Sequence, residues 1–350
     1  MKSSVVDAER QQPPVSRLAL FFGVMLILVL FIVGLTGFLV YNGFRAPRHE
    51  AKAFIVGVNA AAFVTIQAEN SFPLGLASAA DGTTYLSLFG TGAILKVDAQ
   101  GQPAPWIAEK SGITAGGALA VGLDKAVYVI DYTSSNPGQA IGSLKRITPD
   151  GTISNFGVTP NNKDLPLFAQ LAFDNSGALF VTNPSTAEIW RFEPGGVSRV
   201  WWIAPAVNNV NGQPTGIVYD AARQALVIGD AGTGSIYRVA IDVDGKAGIS
   251  QLLEQKSGLE IQALALDNQG RVLFTDWDRD NGELKRLEAN GGVTALADGF
   301  RAPTALIYRD KKVYVVNSDL LGITPPILGF IPSPLRARPP FTVDVVTLAE

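Results

Sequence analysis

One unit of sequence recurs six times along this chain, and the recurrence restricts the fold more than any other feature. An aliphatic residue flanked by small ones stands at Leu76, Leu119, Leu171, Ile217, Leu264 and Leu306, at intervals of 43, 52, 46, 47 and 42 residues. Eleven to thirteen residues after each, a second β-like run ends: TYLSL at Leu88, VYVID at Asp131, LFVTN at Asn183, LVIGD at Asp230, LFTD at Asp276 and VYVVN at Asn317. In five units a third run follows, with a basic residue among apolar ones, around Lys96, Arg146, Arg191, Arg238 and Arg286. Between the first and second runs lie turn formers such as Asp81-Gly82, Asn175-Ser176-Gly177 and Asn268-Gln269-Gly270. Glycine and asparagine supply the positive φ that tight hairpins need. A period of about 45 residues with three to four short strands is the sequence form of a propeller blade, a sheet that buries its faces only against its neighbours.

The predicted fold class is therefore all-β: a six-bladed β-propeller over residues 63–350, behind one N-terminal transmembrane α-helix. The sixth unit supplies strands at 304–308 and 312–316. Its remaining strands are predicted from 327–348 and from 63–68, so that both ends of the chain share one blade and no edge stays open.

The helix is read from Leu18–Tyr41, 24 residues without a charge, framed by Arg17 and Arg45. At ~1.5 Å per residue this spans about 36 Å, enough for a hydrocarbon core of ~30 Å. A cleaved signal peptide is the alternative, but the run exceeds its usual apolar length and no A-x-A-like site follows it directly. The expectation is an uncleaved anchor embedded in the lipid bilayer. Basic residues balance on its two sides: Lys2, Arg10 and Arg17 before it, Arg45, Arg48 and Lys52 after. A short leading tail and a long following domain favour a propeller on the extracytoplasmic side of the cell membrane. Residues 1–17 then form a disordered cytoplasmic tail and 42–62 a stalk.

Composition removes several chemistries. The chain has no cysteine and a single histidine, His49, which excludes disulfides, thiol nucleophiles and any site needing two histidines. With 28 basic and 31 acidic residues and no basic stripe, nucleic acid is not an expected partner.

The P-x-G-L-A, D-G-x-x-Y-V and G-x-I-x-R-V patterns resemble NHL-repeat propellers. Phe72–Gly101, Gln213–Val239 and Asn317-Ser318 also resemble the regucalcin/gluconolactonase (senescence-marker-protein) propellers. WD40 is disfavoured, since no unit pairs Gly-His with Trp-Asp. The resemblance implies a divalent metal held at the channel mouth by a carboxylate and an asparagine. At the matching positions this chain has Ser71, Thr215 and Gln262, none of them a charged ligand for a hard cation. Paraoxonase-like lactonases also use histidine, which this propeller lacks. Glu260 is the one nearby carboxylate that would substitute.

Gln170, Thr215, Gln262 and Thr304 form an uncharged ring where the innermost strands begin. They suit either recognition of a polar ligand or satisfaction of backbone groups and buried water. Asp131, Asn183, Asp230, Asp276 and Asn317 recur in five units, which argues for a structural role in ending the second strand and bonding nearby backbone. One loop differs. Asp276, Asp278 and Asp280 alternate ahead of Gly282 as calcium-loop ligands do, although the glycine falls one place late and Leu287 replaces the closing glutamate. No cofactor is expected from the rest of the chain; Ca²⁺ or another divalent metal is what this loop would take. Trp201, Trp202 and Trp277, with Phe330 in the proline-rich 318–341 connection, are candidates for a partner surface. The adjacent pair is predicted to face opposite ways on its strand.

Two functions follow. The first is a membrane-anchored binding or scaffold propeller presenting a loop-rich face to a polar ligand or to a membrane-protein or extracytoplasmic partner. The alternative is a gluconolactonase-like, metal-dependent lactone hydrolase with a displaced metal site. Missing metal residues weigh against catalysis.

Overall fold

The computed structural model describes residues 17–45, 50–55, 58–278, 281–320 and 337–348. Residues 1–16, Asp280 and Phe330 lie outside these. The chain divides into two units.

The first contains one α-helix, Arg17–Arg45. From residue 17 to 38 every side chain is exposed, Phe21, Ile27 and Phe31 among them. A helix that is apolar all round has no polar face to turn toward water. Arg17–Phe38 is long and apolar enough to cross a membrane.

The second unit is a six-bladed β-propeller, each blade an antiparallel sheet. Blade 1 runs Pro73–Ser78, Thr84–Leu88, Ile94–Val97 and Pro103–Ile107; blade 2 runs Gly116–Val121, Val127–Tyr132, Gly142–Ile147 and Ile153–Asn155. Blade 3 comprises Leu171–Phe173, Leu179–Asn183, Glu188–Phe192 and Ser198–Ile203, and blade 4 Pro214–Asp220, Ala225–Asp230, Ser235–Ile241 and Ala247–Gln255. Blade 5 joins Ile261–Leu266, Val272–Asp276, Gly282–Leu287 and Val293–Phe300, with a fifth strand, Lys52–Ala53, along its outer edge. Blade 6 takes Pro303–Arg309, Lys312–Asn317 and Phe341–Thr347 from the C-terminal part and Asn59–Ile66 from the N-terminal part.

Local chemistry explains the hairpins. In blade 3, Asp174 Oδ1 accepts the N–H groups of Ser176 and Ala178 at 2.9 Å, while Gly177 takes φ +83°. Asp267 does the same for Gln269 and Arg271 beside Gly270 in blade 5. Side-chain oxygens thus stand in for a backbone turn where an L residue would be strained.

The six innermost strands pack side by side in a closed ring. Hydroxyl groups tie blade to blade there. Ser87 donates to Gly117 O at 2.5 Å, Thr182 to Thr215 O at 3.1 Å, and Thr304 to Leu74 O at 2.9 Å. Thr215 donates to Ile261 O. Phe72, ahead of blade 1, packs on Phe341 of blade 6 with ring centres 4.9 Å apart, sealing the junction of first and last blades.

The N-terminal strand starts earlier than its sequence suggests, at Asn59 rather than at 63, and Lys52–Ala53 already pairs with Asp298 and Ala297. The range read as a stalk, 42–62, therefore holds the end of the helix and β-structure. Asn59–Ala62 lacks the β-branched and aromatic residues that mark strands. Its partner imposes the conformation instead: Ala60 pairs with Val346 and Val64 with Val343.

Candidate ligand-binding cavity

At the upper face, where the innermost strands begin, a cavity of about 860 Å³ opens between blades 3, 4 and 5. This is within the ~300–1,000 Å³ range of small-molecule sites. One wall is apolar, built from Leu167, Phe168, Ile203, Ala204 and Ala206. The lining also carries Gln213, Thr215, Glu260, Gln262 and Trp277. No lysine, arginine or histidine lines it among the described residues.

The recurrent carboxylates and amides hold this wall in place. Asp276 Oδ1 accepts the N–H of Glu260 at 2.8 Å, and the Glu260 carbonyl accepts the N–H of Trp277 at 2.8 Å. Glu260 and Trp277 are thereby fixed together, and Gln262 lies on the strand Ile261–Leu266 that follows Glu260. In blade 4, Asp230 Oδ1 accepts the N–H groups of Gln213 and Thr233, each at 2.9 Å. Asp131 bonds Thr114 N and Asn317 bonds Arg301 N in the same way, at 2.7 and 2.8 Å. The structural role read from the repetition is what these residues perform.

The uncharged ring divides unequally. Gln170 Nε2 donates to the Thr304 carbonyl at 2.8 Å, and Thr215 and Thr304 donate to carbonyls of the next blade. Gln262 does otherwise. Only 8% exposed, it keeps Oε1 buried without a hydrogen-bond partner. Trp277 Nε1 is likewise buried and unpartnered, as is Asp230 Oδ2. Asp230 stands directly behind the cavity wall, since a Cβ on Gly212 would lie 2.7 Å from its Oδ2. Leaving such a group unpaired costs about 1–3 kcal/mol, so an orphaned set gathered at one cavity asks for an explanation.

The remaining sequence candidates separate. Asp276 Oδ2 is taken by Lys285 at 2.5 Å, and Glu283 reaches the same ammonium at 2.6 Å. Burial opposes the charge on Lys285, yet the bonds to Asp276 and Glu283 outweigh it and hold the ammonium above its ordinary range. Asp278 Oδ1 accepts Asn281 N at 2.9 Å. Among the described residues no three His, Cys, Asp or Glu side chains gather as a metal site requires. Ser71 is buried and donates to Ala68 O at 2.8 Å.

Trp201 and Trp202 do not face opposite ways. A register shift at Ile189/Trp190 bulges the outer strand of blade 3, and both indoles turn toward blade 4. Trp201 is buried edge-on against Phe180 and donates to Gly245 O at 3.1 Å; Trp202 packs on Tyr237 with ring centres 5.4 Å apart. A bulge adds one residue and so breaks the alternation of faces. The apolar wall and the free oxygen of Asp230 have no distinct mark in the sequence; the run Ile203-Ala204-Pro205 after the tryptophans is the only pointer to the wall.

No protein-family model and no curated protein matches the chain. Solved structures do. A gluconolactonase from Xanthomonas campestris superposes with a TM-score of 0.61 at 11% identity, over 87% of this chain and 96% of that one. A catalytically inactive virginiamycin B lyase from Staphylococcus aureus, solved with quinupristin, gives 0.55 at 13% identity, over 83% and 100%. A chain of a nidogen/laminin complex gives 0.51 at 21%, over 67% and 86%. The fold is the one the sequence resemblance implies, a six-bladed β-propeller with gluconolactonase and virginiamycin B lyase among its structural neighbours. Identities this low establish the fold, and function has to be argued from the site.

Proposed function

We propose that this chain is a membrane-tethered binding propeller. Its helix Arg17–Arg45 is the anchor, the propeller stands on the extracytoplasmic side, and the cavity between blades 3, 4 and 5 takes a small polar ligand. One observation carries the reading: Gln262 Oε1 and Trp277 Nε1–H, an acceptor and a donor, are both buried, unpartnered and at the wall of the same 860 Å³ cavity. Both atoms are closed off as the side chains stand; once the two side chains turn toward the cavity, a hydroxyl-bearing ligand satisfies both, donating to the amide oxygen and accepting from the indole. Neither protein group changes protonation, which suits recognition rather than acid–base chemistry.

The test is a thermal-shift screen of the full chain in lipid nanodiscs against neutral, cationic and anionic hydroxylated compounds, repeated with Gln262→Leu. Stabilisation by at least one class, lost in the variant, is expected. Shifts that survive Gln262→Leu, or none at all, would contradict the reading.

Likeness to a gluconolactonase favours a second reading, metal-dependent lactone hydrolysis at the same cavity with Glu260 as a ligand. Lactone turnover that requires added Ca²⁺, Zn²⁺ or Mn²⁺ and disappears in Glu260→Gln would support it over the first.

A further inference from the structure

The cavity's charge is as one-sided as its polarity. Glu260 is exposed at the rim and, among the described residues, forms no ion pair and has no basic side chain lining the space around it. Behind the wall stands the buried Asp230 with Oδ2 free. Lys285, on the strand beside Val272–Asp276 in blade 5, is held by Asp276 and Glu283. An anion entering this cavity meets the Glu260 carboxylate with no compensating charge among the described residues, whereas a cation is drawn to that carboxylate. Indole Nε1–H of Trp277 asks for the opposite partner, an acceptor. The same cavity is lined by Leu167, Phe168 and Ile203, apolar surface that an alkyl or aryl body would cover.

We infer that the cavity selects an amphipathic amino alcohol: an ammonium group toward Glu260 and Gln262 Oε1, a hydroxyl oxygen toward Trp277 Nε1–H, and an apolar body along Phe168 and Ile203. The inference rests on the reading of this cavity as a binding site and adds the charge class of what it binds. Gln262 makes it more than an acidic patch, because its acceptor is more than nine-tenths buried and lacks a partner.

Four probes isolate the charge. 2-Amino-1-phenylethanol, 1-phenylethane-1,2-diol and mandelate share a phenyl ring and a benzylic hydroxyl and differ at one group, cationic, neutral or anionic. Phenethylamine keeps the cation and lacks the hydroxyl. Each is titrated calorimetrically into the full chain in nanodiscs. The amino alcohol is expected to bind roughly tenfold more tightly than the diol, equivalent to about 1.4 kcal/mol, with mandelate weakest and phenethylamine weaker than the amino alcohol. Glu260→Gln, at an exposed position, brings amino alcohol and diol to within about twofold. Equal binding of amino alcohol and diol by the wild type, or a preference that survives Glu260→Gln, overturns the inference and leaves the cavity reading standing. If none of the four binds a chain with intact thermal unfolding, both fall.

Discussion

The side-chain amide of Gln170 donates to the main-chain carbonyl of Thr304 at 2.8 Å, joining blade 3 to blade 6. These blades are opposite one another in a six-membered ring, so the bond spans the propeller axis. A ring held only by neighbour contacts gains one direct tie across its centre. Gln170→Leu removes that bond at similar volume and leaves the Thr304 carbonyl one donor short. A loss of ~1–2 kcal/mol is expected, read as a lowered midpoint in urea unfolding at unchanged slope. An unaltered midpoint would show that the tie contributes nothing.

The hydroxyls of Thr215 and Thr304 serve different blade junctions, 4 to 5 and 6 to 1. Thr215→Val and Thr304→Val each keep the shape and orphan a buried carbonyl, at a cost of ~1–2 kcal/mol. The two sites share no partner, so their costs should add within ~0.5 kcal/mol in the double variant. Strong non-additivity would mean that the ring responds as one strained unit.

Blade 6, where the chain ends meet, contains a carboxyl with an unusual titration. Burial pushes Asp344 above its ordinary value, outweighing the bond from Asn317 and the field of Arg301. A raised carboxyl value means that the folded state prefers the protonated form. Its contribution to stability is complete below the unfolded value of ~3.9 and is lost as pH rises through the folded one. Asp344→Asn should therefore abolish that part of the pH slope. Urea midpoints of wild type and variant, compared from pH 3 to 7, should show the wild type losing ground as pH rises; parallel curves would refute it.

Trp201 fills the space between blades 3 and 4, and its indole N–H is satisfied by Gly245 O. Trp201→Ala is expected to cost ~3–5 kcal/mol through the cavity it leaves. Trp202→Ala, at a half-buried position, should cost distinctly less. Thermal unfolding of the two variants side by side decides the order.

Much of this was legible in the sequence because it is periodic. Six aliphatic positions at near-constant spacing define six innermost strands, and Asp131, Asp230, Asp276 and Asn317 reveal their backbone role by recurring. What depends on pairing register was hidden. Asn59–Ala62 is a strand only because Phe341–Thr347 lies beside it, and the bulge at Trp190 turns two tryptophans to one side. Among the alternating carboxylates after Thr275, Asp276 is shared between Lys285 and the Glu260 N–H, a cross-strand pairing that spacing does not reveal. The uncharged ring was visible as four polar residues. That three of them bond to carbonyls while Gln262 keeps a free oxygen is a matter of rotamer and neighbour, beyond any spacing rule.

The central claim, that the cavity between blades 3, 4 and 5 is where this propeller binds a ligand, is tested most directly at Trp277. The chain has five tryptophans, so 5-fluorotryptophan labelling gives five ¹⁹F signals, with Trp277 assigned by Trp277→Phe. Trp190, fully buried with its N–H on Glu188 at 2.8 Å, serves as the internal control. Titration with 2-amino-1-phenylethanol should move the Trp277 signal saturably, with the affinity found by calorimetry, while Trp190 stays still. A Trp277 signal that does not move at saturating ligand would contradict the account.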